Sequence, residues 1–222
     1  FGLPKPGDGV LVWGHSPTAW RGEALARRHN LPLIRVEDAF LRSIHPGRFR
    51  GEAPLGLLVD PVGMHFNAAG PSLLEQVLQS PDVQNSNILD RAKAAISRIH
   101  EVDLSKYNNF DTDCPAPDPG YVLVIDQTRD DAAIRHAGAS AASFPAMLAA
   151  ARTAFPDQRI LIRTHPETRM GLRPGHFGPA DTDAQVRLLT DPISPNRLLA
   201  SAAAVFTVSS QMGFEAILHG HR

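Results

Sequence analysis

The chain has 222 residues, 43% hydrophobic and 20% charged, enough to bury a sizeable core in one large domain or two small ones. Its 22 basic and 23 acidic residues leave a net charge of −1, which excludes the basic footprint of a nucleic-acid binder. The single cysteine, Cys114, excludes an intrachain disulfide and suits the cytoplasm, and no apolar run is long enough to span a bilayer.

The opening FGLPKPGDG has no Met, no charged leader region and no apolar core of a signal peptide, so the chain is expected to begin inside a longer protein. Residues 10–13 (VLVW) then read as a strand, and Thr18 to His29 as a helix closed by Asn30 and Pro32. Leu33 to Val36 is a second strand running into Glu37 and Asp38. Strand, helix and strand make a parallel βαβ unit. The loop EDAFLRS mixes Glu37, Asp38 and Arg42 with Phe40 and Leu41, a composition that fits a loop over a site as well as a surface ion pair. Leu55 to Val59 reads as a third buried strand ending at Asp60, and Met64 to Phe66 as a short edge strand. Helices are expected from Pro71 to Gln79 and from an Asn85 or Ser86 cap to Glu101. The second carries Ile88, Leu89, Ala92, Ala95, Ile96 and Ile99 on one face. The Pro-rich stretch DTDCPAPDPG is the best linker, which places a domain boundary between residues 110 and 120.

The second half repeats the alternation. Tyr121 to Ile125 is a continuous, largely β-branched run bounded by Gly120 and Asp126, the pattern of a strand buried on both faces. A helix over 143–155 follows, then a strand over 159–163 that delivers His165 and Pro166. Further strands are expected over 186–189 and 205–208, with a helix over 195–203 between them and a last helix opened by Ser209 and Ser210. The fold class is therefore α/β, with two Rossmann-like domains: an N-terminal one (1–110) with a helical connector, and a C-terminal one (120–222) that lacks a strand after its last helix.

No Walker A, G-x-G-x-x-G, HExxH or G-x-S-x-G pattern is present, and the ten histidines are scattered, so neither a metal site nor a resident cofactor is expected. What remains is a set of polar groups at strand ends, where open α/β sheets bind ligands. Asp126, Asp130 and Asp131 follow the central strand; their structural reading is a capped turn and a helix start. Pro166 holds His165 in extended backbone. Ser209 and Ser210 combine hydroxyls with a helix N-terminus suited to a phosphate, and Glu215, one turn beyond Gln211, is placed to accept bonds from ribose hydroxyls. Together they point to a nucleotide.

The segments VWGHSPTAWRGEALARRHNLPLIRVEDAFLRS, LGLLVDPVGMHFNA, DLSKYN, VLVIDQTRDDAA, RTHPE and SSQMGFEA, in that order, closely resemble bacterial capsule-polysaccharide synthesis proteins of the KpsC type, from Val12 to Leu218. The resemblance implies a GT-B-like arrangement whose C-terminal domain is incomplete here. It also implies a retaining β-Kdo glycosyltransferase that moves Kdo from CMP-Kdo to a glycolipid acceptor, phosphatidylglycerol-linked Kdo, among other capsule synthesis and export proteins. The implied location is the cytoplasm or the inner face of the inner membrane. Under it, His165 and Pro166 match the HP motif, and Ser209, Ser210, Gln211 and Glu215 the nucleotide-binding Ser…Glu motif. Glu37, Asp38 and Arg42 match an N-terminal signature for sugar or acceptor, with Arg42 facing the Kdo carboxylate through its planar fork. Asp131 is expected as the nucleophile and Asp126 as its support. A transferase of another CMP-activated sugar, or a non-catalytic CMP-binding scaffold, are the alternatives.

Overall fold

The first structured element is the strand β1 (Val10–Trp13), followed by the helix α1 (Ala19–His29) and the strand β2 (Leu33–Asp38), in a computed structural model that describes residues 4, 5 and 7–221. The expectation for Phe1–Leu3 as an internal start lies outside the described residues. β1 and β2 pair in parallel, with Val10 opposite Leu33 and Trp13 opposite Val36, so the βαβ unit forms. Gly22 lets α1 lie close to the sheet, because a Cβ there would collide with Val12. Asn30 closes the helix in the left-handed region (φ 50°), a conformation that Asn tolerates better than most residues.

β3 (Leu57–Asp60) corrects the expectation of a third buried strand. It runs antiparallel to β2 at the sheet edge, and Leu57 and Val59 are about half exposed. A parallel return requires a crossover, usually a helix, and residues 39–56 contain none. Asp60 is buried as an anchor: its Oδ1 accepts from the N–H groups of Val62 and Gly63, and its Oδ2 from that of Leu73. Residues 64–66 form a turn around the fully buried Met64, not the expected edge strand. α2 (Leu73–Gln79) starts with a reciprocal capping box between Ser72 and Glu75, and α3 (Ser86–Glu101) is capped by Asn85. The apolar face expected on α3 is there in sequence, yet Ile88 and Leu89 are exposed among the described residues.

The second sheet is fully parallel, ordered β6 (Val186–Leu189), β5 (Ile160–Arg163), β4 (Tyr121–Ile125), β7 (Ala202–Phe206). In chain order that is 3-2-1-4, the first four strands of the doubly wound dinucleotide-binding order. Every β4 residue is buried, as a strand covered on both faces requires. On one side Val122, Val124, Ile160 and Ile162 meet α5 (Ser143–Ala154) through Phe144, Met147, Leu148 and Ala151. On the other, Tyr121, Leu123, Ile125 and Leu161 meet Leu198 and Leu199 of α7 (Pro195–Ser201) and Ala216 of α8 (Gln211–Leu218). Each such aliphatic side chain contributes roughly 1.5–3 kcal/mol on burial.

The strand order reverses between β4 and β7. Their carboxyl ends, with that of β5, are where such a sheet opens a crevice.

Candidate active site

A cavity of about 660 Å³ opens at those strand ends and is walled on its far side by the first half of the chain. Its C-terminal wall carries Asp126, Gln127, Asp131, His165, Ser209, Ser210 and Glu215; Glu37 and Asp38 at the end of β2, and Phe40 just beyond it, face it from the other side. Segment 105–109 lies between the halves.

β4 delivers Asp126, 2% exposed, straight into a backbone knot. Its Oδ1 accepts from the N–H of Gln127 (2.8 Å) and of His176 (3.0 Å), and its Oδ2 from that of Phe177 at 3.5 Å. Gly175 lets the 175–177 turn press against this carboxylate, since a Cβ there would collide with Oδ2. Burial raises the Asp126 pKa, and the backbone donors oppose that rise. Asp130 sits in the left-handed region at φ 61°. Asp131 caps the short helix α4 (Ala132–His136) by accepting from the Ala133 N–H, and only one carboxylate oxygen is used in this way. The structural reading of both acids is therefore realised. Asp131 keeps a place on the wall of the cavity, and also on that of a neighbouring cleft lined by His15, Arg129 and Arg135.

His165 caps α6 (Pro166–Arg169): its Nδ1 accepts from the Glu167 N–H at 3.1 Å, which leaves the proton of the neutral ring on Nε2. Burial, with Lys106, Arg173 and Arg163 nearby, lowers its pKa to about 3, so the ring is a neutral donor at physiological pH. A histidine depressed in this way stabilises the fold above its unfolded pKa near 6.5, and that contribution is lost as pH falls towards 3. Between pH 7 and 4 the melting temperature of His165→Gln is therefore expected to fall less steeply than that of the parent. Parallel curves would show that His165 is not buried neutral.

Gln127, 3% exposed, ties the ends of β4 and β7 together: its Oε1 accepts from the Ser209 N–H (3.0 Å), and its Nε2 donates to Ser209 Oγ (3.1 Å). Ser210 caps α8 through the Met212 N–H. Both serines line the cavity, but their backbone donors are in use, that of Ser209 on Gln127 Oε1 and that of Ser210 on Thr207 Oγ1.

Glu215 differs from expectation. It is 7% exposed, and both its oxygens accept from Ser105 Oγ (3.0 and 2.9 Å); Oε1 also accepts from the Lys106 N–H and from Gln211 Nε2. Gln211 Nε2 donates as well to the Phe40 carbonyl, at 2.6 Å. These side chains fasten α8 to the connector and to the N-terminal loop, and burial raises the Glu215 pKa.

Of the three N-terminal candidates, Glu37 and Asp38 line the cavity and Arg42 does not. Arg42 is 6% exposed and held behind the wall: Nε lies 2.8 Å from Asp38 Oδ2 as an ion pair, Nη1 donates to Ser43 Oγ, and Nη2 donates to the Glu52 carbonyl. Gly47 closes over the guanidinium, where a Cβ would collide. The planar fork is spent on the loop, so the expected role of Arg42 against a sugar carboxylate is not what this geometry provides. Asp38 Oδ1 is buried and has no hydrogen-bond donor, and burial raises the Glu37 pKa.

Sequence reasoning passed over Gln127, Ser105, Lys106 and Tyr107 as site residues, although DLSKYN was one of the motifs noted. A family profile described as "Capsule polysaccharide biosynthesis protein" matches residues 8–116 and 109–222, the two matches overlapping in the Pro-rich connector. The chain belongs to this capsule polysaccharide biosynthesis family.

Its relatives include the capsule polysaccharide modification protein LipA of Neisseria meningitidis serogroup B, 37% identical over 97% of this chain and 31% of LipA. The lipopolysaccharide-processing protein LpsZ of Rhizobium meliloti is 33% identical over 87% of this chain and 45% of its own length. This capsule-family chain thus spans less than half of the curated relatives it matches. Among solved structures, Thermosulfurimonas dismutans KpsC, described as a beta Kdo 2,4 transferase, superposes with a TM-score of 0.86 at 34% identity, covering 96% of this chain and 66% of that one. A beta Kdo 2,7 transferase KpsC from the same organism, at 22% identity and TM-score 0.64, shares the fold. Among the described residues no helix is long and apolar enough to cross a membrane.

Proposed function

We propose that this chain carries the site of a retaining β-Kdo glycosyltransferase that moves Kdo from CMP-Kdo to a glycolipid acceptor, phosphatidylglycerol-linked Kdo, in capsule synthesis. The observation that carries this reading is the cavity at the β4–β7 switch point, where His165, the two serines, Asp131 and the Glu37–Asp38 pair converge. The fold shared with a Kdo 2,4 transferase supports it.

In this reading the cytidine phosphate lies against His165 and the start of α8. The neutral ring donates from Nε2, the helix end adds its positive dipole, and together they stabilise the charge that develops as CMP leaves. Retention follows from double displacement. An Asp131 oxygen bonds to the anomeric carbon as the bond from that carbon to the phosphate oxygen breaks, and CMP departs with the electron pair. An acceptor hydroxyl then attacks the same carbon as the bond from that carbon to the Asp131 oxygen breaks, its proton passes to solvent, and Asp131 returns as a carboxylate. Asp126 keeps the loop that carries Asp131 in place. Asp38 Oδ1, lacking a donor, accepts from a sugar hydroxyl. A glycolipid acceptor brings the enzyme to the inner face of the inner membrane beside other capsule synthesis and export proteins.

The test measures CMP release from CMP-Kdo and from CMP-sialic acid, with and without a Kdo-terminated glycolipid. Turnover confined to CMP-Kdo supports the proposal. CMP binding without turnover of either donor would replace it with the scaffold reading. His165→Ala is expected to weaken CMP binding by roughly 1–3 kcal/mol through the lost buried hydrogen bond, and unchanged affinity by calorimetry would remove His165 from the nucleotide site.

A further inference from the structure

The cavity is unusually acidic for a pocket that holds an anionic sugar nucleotide. Six carboxylates line it, Glu37, Asp38, Glu75, Asp126, Asp131 and Glu215, against three cations, Lys106, Arg163 and Arg169. Two of those cations are engaged by the protein. Arg163 is 5% exposed, and its two amino groups donate to the Asp191 and Ile193 carbonyls. Arg169 donates one N–H to the Asn109 carbonyl at 3.3 Å, beyond Lys106 in segment 105–109. Lys106 is different: its Nζ lies over the Tyr107 ring, 5.5 Å from the centroid, and no ion pair or hydrogen bond to Nζ is present among the described residues.

Its backbone is held as firmly as its ammonium is free. The Lys106 carbonyl accepts from the N–H groups of Arg42 and Ser43 in the first half, and its N–H donates to Glu215 of α8 in the second. Tyr107 bridges to Ser43, and its ring meets that of His165 edge-on at 6.1 Å. The residue is therefore pinned where the two walls of the cavity meet. Its charge acts on groups of both walls: it adds to the lowering of the His65 and His165 pKa values by burial, and it opposes the burial-driven rise at Glu37.

We infer that Lys106 is the specificity-determining cation of the donor site, its ammonium binding the carboxylate that a 2-keto-acid sugar carries on its anomeric carbon. The inference rests on the proposed transferase activity. That carboxylate and the phosphate share one carbon in the donor, so a site that holds the phosphate at His165 and α8 brings the carboxylate within a few bonds of it. Six nearby carboxylates repel this group, and Arg42, the cation expected for it from sequence, is turned away and bonded elsewhere. A compact ammonium on a flexible stem suits a charge that must be gripped in the donor and released in the product.

The test compares Lys106→Met and Lys106→Arg with the parent, using CMP and CMP-Kdo as probes. Lys106→Met is expected to raise KM for CMP-Kdo about 10- to 100-fold, the range of a lost hydrogen bond to a charged group, with a smaller change in kcat. CMP affinity and melting temperature should stay at parental values, and Lys106→Arg should recover most of the loss in KM. A matching fall in CMP affinity would assign Lys106 to the phosphate and overturn the inference, as would an unchanged KM. Inactivity of the parent itself on CMP-Kdo would instead remove the transferase reading, and this inference with it.

Discussion

Asp131→Asn should abolish Kdo transfer while leaving the protein folded and able to bind CMP. Asn is as good a helix cap as Asp, so the bond to the Ala133 N–H survives and α4 keeps its start. What disappears is a carboxylate oxygen able to bond to the anomeric carbon. Loss of a covalent nucleophile costs on the order of 10⁴-fold or more in kcat, far more than any effect of polarity in the cavity. Steady-state CMP release measures the loss, and mass spectrometry of a trapped Kdo adduct assigns the residue. A label recovered on Asp126, or on neither acid while retention persists, would overturn the assignment.

Asp126→Ala should fail differently. The substitution strips buried acceptors from the N–H groups of Gln127, His176 and Phe177 and opens a void beneath the 175–177 turn. Leaving such donors unpaired costs about 2–4 kcal/mol, and turnover should fall with it as the loop carrying Asp131 loosens. Urea denaturation measures the first effect. Asp126→Asn, which keeps one acceptor oxygen, should lose less stability than Asp126→Ala. Equal stability of Asp126→Ala and the parent would show that the carboxylate is not the knot it forms here.

The two acids also show how far a sequence can be read. Tyr121 to Ile125 announces a doubly buried strand because five apolar, mostly branched residues in a row tolerate little else, and the acids beyond it inherit their place from that strand. The distinction between a tied Asp126 and a projecting Asp131 follows from distance along the loop. Arg42 was not readable in that way. Its carbonyl partner Glu52 is ten positions away, across a loop without periodicity, and a guanidinium that looks available in sequence is consumed there. β3 was expected to be buried because its residues are apolar, but an edge strand leaves one side open, and Leu57 and Val59 stay about half exposed there. Lys106 carries no signal of its own. Its significance appears only when Ser43 and Glu215, far apart in sequence, close on either side of it.

The bond from Ser105 to Glu215 joins positions 110 apart, and the one from Gln211 to Phe40 spans 171. Contacts of that separation are slow to form, because the chain between them must first be brought together. During synthesis the first half leaves the ribosome with its cavity wall unbraced, and β4 waits for β7 before its second edge is paired. α8, whose Gln211 and Glu215 stand at the cavity, also clasps the two halves of the described fold together. Damage to its Gln211 or Glu215 therefore acts first on whether newly made chains reach the native state, and the yield of soluble protein will register it before any assay of catalysis does.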